Sequence, residues 1–245
     1  YKRQNYRMEK SVSEAIKFRR SVRKFDTKAD LDTNKVKKCI ENGVLAPTSS
    51  NLQLWEFYHI TNKQLLMKIS KICFNQPAAS TAKQIVITVV RKDLWKKRAN
   101  QNINFFDSKR EELNKKQYEL TKKYYTKAVP LVYKDFFGIY SYSKYLFANF
   151  LGMYRVMYRQ LRNSDTRIVA HKSAALASQN FMISMAAFGY DTCPMEGFDS
   201  LKLKKLLELD KKSEINMVIG CGIRLKEGIY GERFRIPFDQ VYFKR

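Results

Sequence analysis

The chain has 245 residues, and its 47 Lys or Arg against 23 Asp or Glu give a formal net charge of +24. Hydrophobic residues make up 44% and aromatic residues 13% of the chain, enough for a packed core, which argues against global disorder. Nine Gly and five Pro exclude a collagen-like or proline-rich fibrous protein, and we expect one domain over residues 1–245.

The first 90 residues contain three helical and two strand-like segments. Ser11 and Glu14 have the spacing of a capping box at the start of the first helix. Ala46-Pro47 ends the second helix, because the residue before a proline disfavours helical geometry. An apolar β-branched run is typical of a strand buried on both faces. The predicted elements are helices over residues 11–21, 31–46 and 63–71 and strands over residues 55–60 and 84–90.

The rest of the chain is mostly helical by pattern. Residues 94–160 predict two or three helices with a break near Val129-Pro130, and Gly189 suits the C-terminal cap of a long helix over residues 166–188. A helix over residues 199–209, a buried strand over 215–222 and a strand-like tail over 240–244 follow. This pattern predicts an α+β fold, with helices around a central mixed or antiparallel sheet.

Cysteine and histidine usage does not indicate a metal site. The cysteines have no C-x-x-C spacing, so we expect no metal and four reduced thiols, as in a cytoplasmic protein. The first ten residues lack the apolar segment of a signal peptide, and no stretch has the length and apolarity of a membrane span. If the chain is an enzyme, we expect its reactive group to come from a cofactor. The residues considered are Cys39, Cys73, Cys193, Cys221, His59 and His171.

The net charge of +24 raises nucleic acid or an anionic membrane surface as partners. Lysine outnumbers arginine by 31 to 16, although arginine is the residue favoured for bidentate phosphate and base contacts. No nucleic-acid-binding signature is present. We therefore expect no specific nucleic-acid partner. The positive charge would instead attract anionic cofactors and substrates, and the alternative is that the chain is a basic protein that binds polyanions.

Two clusters of residues are basic. Arg19 and Arg23 lie four residues apart with Ser21 between them, so they share one helical face if the helix continues. Two guanidinium groups and a hydroxyl suit a phosphate monoester. Arg233 and Arg235 form an alternating pair after the last buried strand. A solvated basic surface is the alternative for the cluster of residues 19–23.

Two further clusters offer uncharged hydrogen-bonding groups. Residues 46–55, APTSSNLQLW, place short hydroxyls, an Asn and a Gln in a loop before a strand, where they can bond a polyol or a ring edge; an ordinary turn is the alternative. Residues 193–199, CPMEGFD, contain Glu196-Gly197. A glycine has no side chain to obstruct a flat ligand, so a backbone N–H can approach it closely there.

Taken together and in this order, the four clusters resemble the nitroreductase family of FMN-dependent oxidoreductases. The specific parts are the P-T-S-S-N-L-Q-L-W loop and the P-M-E-G-F-D segment, and the resemblance is strongest over residues 9–87 and 169–237. It implies an α+β domain that forms an interlocked homodimer, with one FMN at each end of the dimer interface.

The resemblance also implies a role for each cluster. The arginines would hold the FMN phosphate, the hydroxyl loop would reach the same flavin from the other subunit, and Asn75 would bond the ribityl chain or the pyrimidine edge. The backbone of Glu196 and Gly197 would face the N5 and O4 side, and no side chain would be catalytic because the flavin carries the chemistry. The cofactor-binding residues implied are Arg19, Arg20, Ser21, Arg23, Pro47, Thr48, Ser49, Asn51, Gln53, Asn75, Pro194, Met195, Glu196, Gly197, Arg233 and Arg235.

The function implied is ping-pong hydride transfer, in which NADH or NADPH reduces the flavin and a nitroaromatic, quinone or related flat acceptor reoxidises it. The alternative is that the chain has the same fold and cofactor but a different reaction, since similar proteins dehalogenate substrates, reduce enones or fragment the flavin. Gln76-Pro77-Ala78 stands where many relatives carry a cation near the pyrimidine ring. Residues 94–166 would be a variable helical insertion whose aromatics either line a pocket for flat substrates or pack in the core and interface: Phe136, Phe137, Tyr140, Tyr145 and Phe150.

Overall fold

The computed structural model describes residues 9–136 and 138–245. The first eight residues, where no signal peptide was expected, lie outside the described residues. Phe137, which was expected in a substrate pocket or in packing, also lies outside them. The strands are β1 Trp55–Ile60, β2 Gln84–Val90, β3 Asp191–Met195 and β4 Glu214–Gly222. The helices are α1 Val12–Phe18, α2 Thr33–Gly43, α3 Lys63–Ile72, α4 Pro77–Ser80, α5 Trp95–Ser108, α6 Lys115–Lys123, α7 Val129–Tyr133, α8 Ile139–Leu151, α9 Asn163–Ala187 and α10 Ser200–Leu206.

The four strands form one sheet in the order β1-β2-β4-β3, and each neighbouring pair is antiparallel. Ser21 adds a parallel bridge to Thr192 on the outer side of β3. The prediction of an α+β fold with a central sheet surrounded by helices is therefore confirmed. Among the described helices, none combines the length and the hydropathy that crossing a bilayer requires.

Strand β2 lies between two layers of helices, and all seven of its residues are buried. Ile85 and Ile87 pack on the face covered by α3, α4 and α10, whereas Val86 packs against α2 and α9 on the other face, as the alternation of side chains along a strand requires. The Thr88 hydroxyl lies 2.8 Å from the Ser178 hydroxyl of α9, so two buried polar groups satisfy each other.

Helix α1 is shorter than predicted. The capping box of Ser11 and Glu14 is present, but the helix ends at Phe18 and not near Ser21. The reason is pairing with the sheet, because the backbone N–H of Val22 donates to the carbonyl oxygen of Thr192 at 3.2 Å. Arg19 accordingly has extended backbone angles, φ −60° and ψ 123°.

Three other predictions were wrong. Pro130 does not break a helix, because helical backbone continues from α6 through the π-helical turn Tyr124–Ala128 into α7; this helical stretch ends at Tyr133. The tail is not a strand but a 3₁₀ turn, Phe238–Gln240. Strand β3 was not predicted; it carries Pro194, which is tolerated because β3 lies at a sheet edge.

Candidate functional site

Five arginines line one cleft with a volume of about 270 Å³. We call this cleft, formed by residues 19–23 and 229–235, the arginine cleft. Glu232 is the one carboxylate in its lining, and in the part of the chain that the structure describes none of the five arginines belongs to an ion pair. Cations that share a cleft without counterions form a site for an anion. The five arginines are Arg19, Arg20, Arg23, Arg233 and Arg235.

Strand geometry, rather than the predicted helical face, brings the first cluster together. Residues 19–23 are extended beside β3, and side chains two apart in an extended segment point to the same side. Arg19, Ser21 and Arg23 line the cleft, while Val22 between them is fully buried in the core. These three residues therefore lie close together because the backbone is extended, and not because they share a helical face as predicted.

The arginines of the cleft differ in what they already bind. The Nη2 of Arg233 donates to the carbonyl oxygens of Lys17 at 2.8 Å and Arg19 at 2.7 Å. The Nη2 of Arg20 donates to the carbonyl oxygen of Gly231 at 3.0 Å. Arg233 and Arg20 therefore join the two segments of the cleft to each other.

The guanidinium of Arg19 lies in an environment that is unfavourable for a positive charge. Burial, together with the positive charges of Arg233 and Arg235, lowers the pKa of its guanidinium below the ordinary value. Like charges held close together repel, and an anion bound among them removes that repulsion. This arrangement favours the binding of an anion beside Arg19.

The C-terminal end of β3, where the CPMEGFD segment of residues 193–199 begins, lies beside the arginine cleft. The Nη1 of Arg23 lies 3.7 Å from the Cys193 sulfur. Met195 is 3% exposed and packs in the core, so its side chain cannot touch a ligand as the sequence suggested, although its backbone can. Pro194 is half-buried, and Glu196 and Gly197 are exposed beyond the last paired residue.

The turn between α3 and α4 brings Asn75 to the same region. Phe74 and Asn75 have left-handed backbone angles, φ 57° and 52°, and the Asn75 N–H donates to the Ser70 carbonyl oxygen at 2.9 Å. The next residue, Gln76, donates from Nε2 to the Gly197 carbonyl oxygen at 2.8 Å. From the sequence, the segment of residues 76–78 was noted only for lacking a cation, and this contact, which joins residues 121 positions apart, was missed.

The hydroxyl loop, residues 47–53, does not join these groups within one chain. It leads into β1, and β1 and β3 are the opposite edges of the sheet. Three strand spacings, at roughly 4.8 Å each, separate the edges by about 14 Å. The structure therefore divides the predicted site residues into two sets: Pro47, Thr48, Ser49, Asn51 and Gln53 at one edge, and the others at the opposite edge.

Residues of α5 and of the π-helical turn Tyr124–Ala128 determine the shape of the hydroxyl loop. The side chain of Asn51 donates to Asn102 Oδ1 at 2.8 Å, and Asn102 Nδ2 donates to the Asn51 carbonyl oxygen at 3.0 Å. The Tyr125 hydroxyl donates to the Ser50 carbonyl oxygen at 3.1 Å. These bonds hold three left-handed residues, including Gln53 at φ 49°. Sequence reasoning missed Asn102 and Tyr125; a polar residue at a buried helical position was the available indication for Asn102.

An apolar cavity of about 440 Å³ lies beside the hydroxyl loop. Its thirteen lining residues include Ser49 and Ser50, and none of the thirteen is charged, in a chain with 29% charged residues. Burial raises the pKa of Tyr133 to about 12, so its phenol remains a hydrogen-bond donor at neutral pH. The aromatic lining residues are Tyr124, Tyr133 and Tyr158.

Among the aromatics that the sequence suggested for a substrate pocket, the four that the structure describes do not line this cavity. Phe136, Tyr140 and Phe150 are 68%, 42% and 56% exposed, and the lining does not include them or Tyr145. Because α7 ends at Tyr133 and the predicted break at Val129-Pro130 is absent, α8 is placed differently from the predicted helix. The aromatic lining comes instead from Tyr124 of the π-helical turn, Tyr133 of α7 and Tyr158 between α8 and α9.

Comparison with known proteins gives one consistent result. The model of the family described as "Nitroreductase family" matches residues 16–223. Protein DrgA of Synechocystis is 28% identical over 224 residues, which cover 91% of this chain and 89% of DrgA. "Putative NAD(P)H nitroreductase SERP2086" of Staphylococcus epidermidis is 26% identical over 231 residues, 92% of this chain and 93% of its own length.

A solved structure has the same fold. The protein from Exiguobacterium sibiricum described as "a putative nitroreductase in complex with FMN" superposes with a TM-score of 0.68. The sequence identity is 21%, and the match covers 96% of this chain and 98% of that one. At this identity the likeness is one of fold.

Proposed function

Because this chain belongs to the nitroreductase family, we propose that it is an FMN-dependent oxidoreductase that uses NADH or NADPH to reduce flat organic acceptors. The FMN-bound structure of similar fold and the NAD(P)H nitroreductase name of one relative support the choice of cofactor and reductant. The proposed reaction is a ping-pong transfer of hydride through one pocket.

The arginine cleft is the observation that carries this proposal. A phosphate monoester carries about −1.5 to −2 charges at pH 7 and accepts hydrogen bonds on three oxygens. Arg19, Ser21 and Arg23 line one side of the cleft and Arg235 lies on the other, so the donors fit the phosphate of FMN. Arg233 binds backbone carbonyls, and we assign it to shaping the cleft.

The division of the site between two sheet edges supports a homodimer. In the proposed dimer the hydroxyl loop of one subunit completes the site that the arginine cleft of the other begins. The C-terminal segment exposes apolar side chains that a partner can cover: Phe234, Phe238 and Phe243 are 78%, 72% and 71% exposed. Exposed apolar surface of this kind commonly marks an interface.

When bound, the flavin supplies the hydride-transfer chemistry between NAD(P)H and the acceptor. The chain's own contribution is binding and orientation. The arginine cleft holds the phosphate, and the backbone at Glu196 and Gly197, where Gly197 has no side chain, lets the ring approach. A peptide N–H is a dipole present in every protonation state, so no side chain needs to titrate during turnover.

The apolar cavity is the proposed site of the acceptor. Its uncharged lining favours neutral, flat molecules, since burying an unpaired charge there is costly. The hydroxyls of the loop and of the tyrosines supply the few polar contacts that orient a ligand in an apolar pocket. A neutral quinone or nitroaromatic has this chemistry.

The decisive experiment uses the purified chain. We expect a yellow protein with absorbance near ~450 nm that bleaches with NAD(P)H and regains its colour with a quinone. An enone and a halogenated phenol belong in the same screen, because the fold accommodates other flavin chemistry. A colourless protein that neither binds added FMN nor oxidises NAD(P)H, yet binds a polyanion, would contradict the proposal and favour the basic binding protein.

A further inference from the structure

Gly197 lies where the proposed function needs a fixed backbone and where the sheet no longer provides one. The last pair of the β3–β4 ladder is Met195 opposite Val218, so Gly197 is two residues beyond the ladder, and it is exposed. Glycine has more backbone freedom than any other residue. A backbone contact to a flat ring at this position therefore requires a restraint from elsewhere in the chain.

Gln76 supplies such a restraint. Its Nε2 donates to the carbonyl oxygen of Gly197 at 2.8 Å and to that of Cys73 at 3.1 Å, so both hydrogens of the amide are used. The Gly197 carbonyl is part of the peptide group that joins Gly197 to Phe198, and a carbonyl that accepts a hydrogen bond cannot rotate freely, so the bond restricts this peptide group. A Cβ built on Gly197 would lie 3.5 Å from the same nitrogen, an ordinary contact.

Gln76 is itself firmly placed. It caps α4, and its carbonyl oxygen accepts from the N–H of Ala79 at 2.8 Å and of Ser80 at 3.1 Å. Helix α4 in turn packs tightly on β4, because a Cβ on Gly220 would collide with the carbonyl oxygen of Ala78. The restraint on Gly197 thus extends from the sheet through α4 and Gln76.

We propose that Gln76 is a positioning residue that fixes the backbone at Glu196 and Gly197 for contact with the flavin ring. This inference rests on the proposed function. Backbone that is already ordered loses less conformational entropy when the ring binds, so the restraint strengthens binding without touching the ring. It acts on the ring end of the cofactor, whereas the arginine cleft acts on the phosphate.

The test is Gln76→Glu, which keeps the side-chain volume but replaces two donated hydrogens with a carboxylate facing two carbonyl oxygens. Gln64→Glu is the matched control, because Gln64 is an exposed residue of the neighbouring helix α3 and the charge change is identical. The first measurement is hydrogen exchange in the FMN-free protein of the Asp199 amide, the next backbone N–H along this segment with a hydrogen bond, which it donates to the Ile72 carbonyl oxygen at 3.1 Å. We expect exchange to become at least about tenfold faster in Gln76→Glu and to stay unchanged in Gln64→Glu.

The second measurement is on the flavin. We expect Gln76→Glu to weaken FMN and riboflavin by the same factor, about tenfold, and to shift the visible spectrum and the reduction potential of the bound flavin, while Gln64→Glu leaves all of these unchanged. Unchanged exchange in Gln76→Glu, or a spectrum and potential equal to those of Gln64→Glu, would overturn the proposal. If the parent protein binds no flavin, the proposed function fails and the role of Gln76 with it; the exchange result then shows whether the contact itself exists.

Discussion

The guanidinium of Arg233 is bound to the backbone of Arg19: its Nη2 donates to the Arg19 carbonyl oxygen at 2.7 Å. The same atom donates to the carbonyl oxygen of Lys17 at 2.8 Å. The last carbonyls of a helix have no partner within the helix, and here a side chain from the C-terminal segment supplies one. Arg233 thus fixes the backbone from which Arg19 projects into the arginine cleft.

Replacing Arg19 by Ala is expected to separate phosphate binding from ring binding. Each charge-assisted contact contributes roughly 1.5–3 kcal/mol, so FMN should bind about tenfold to a hundredfold more weakly. Riboflavin, which has no phosphate, should be little affected. Lys17→Ala removes the same charge from the exposed end of α1 and serves as the control. Equal losses for FMN and riboflavin, measured by fluorescence titration, would place Arg19 outside the phosphate site.

The carboxylate of Glu196 is expected not to act as a general acid. A negative charge beside a flavin that gains negative charge opposes reduction, and the backbone is the proposed contact. Glu196→Gln should therefore change the rate of flavin reduction by less than about tenfold, ~1.4 kcal/mol or less. Stopped-flow reduction by NAD(P)H measures this rate, and a loss of ~10²–10⁴ would indicate a general acid instead.

Gly197→Val is the counterpart of that variant. A Cβ at Gly197 meets only Gln76 Nε2, at 3.5 Å, and Gly197 does not have a positive φ, so the fold should tolerate the substitution. The branched side chain would nevertheless occupy the space that the ring needs. We expect FMN binding or reduction to fall far more than in Glu196→Gln, with thermal unfolding nearly unchanged. Normal FMN binding and reduction would show that the ring does not approach this glycine.

Met157→Glu tests the apolar cavity as the acceptor site. Met157 is one of its lining residues, and a carboxylate introduced there has no cation in the lining to pair with, so its burial is costly. We expect KM for a neutral quinone to rise at least about tenfold, and Met157→Leu, which conserves volume, to remain within about twofold. A KM unaffected by Met157→Glu would move the acceptor elsewhere.

Light scattering of the flavin-bound protein tests the homodimer. The hydroxyl loop and the arginine cleft lie at opposite sheet edges, and the proposed function assigns them to one flavin from two subunits. We expect a dimer, and removing residues 238–245 should weaken it by exposing the apolar surface that the tail covers on the partner. A monomer that retains FMN would contradict the assignment of the loop to the same site.

The buried parts of the fold could be predicted from the sequence because they follow from local composition. Residues 84–90 form an uninterrupted apolar run and become the central strand β2. Gly189 takes a positive φ of 78° just after α9, as expected of a glycine at a helix C-terminus. In both places the chemistry of neighbouring residues decides the structure.

The site was less predictable because its geometry depends on contacts between distant residues. The contact of Arg233 with Arg19 joins residues 214 positions apart, and the pairing of Val22 with Thr192 ends a helix whose local pattern continues. Asn102 shapes the hydroxyl loop across 51 positions, and no short motif contains both partners. The resemblance predicts which residues belong to the site, whereas pairing across the chain decides which of them the fold brings together.

The position of the hydroxyl loop and the arginine cleft at opposite edges of the sheet has a genetic consequence. In the proposed dimer, a subunit lacking Arg19 and a subunit lacking Asn51 damage different halves of the two sites. Each defective homodimer has no intact site, but a mixed dimer combines one wild-type cleft with one wild-type loop. Two inactive alleles expressed together would therefore complement each other and restore one working site of two, whereas two alleles altered on the same edge would not.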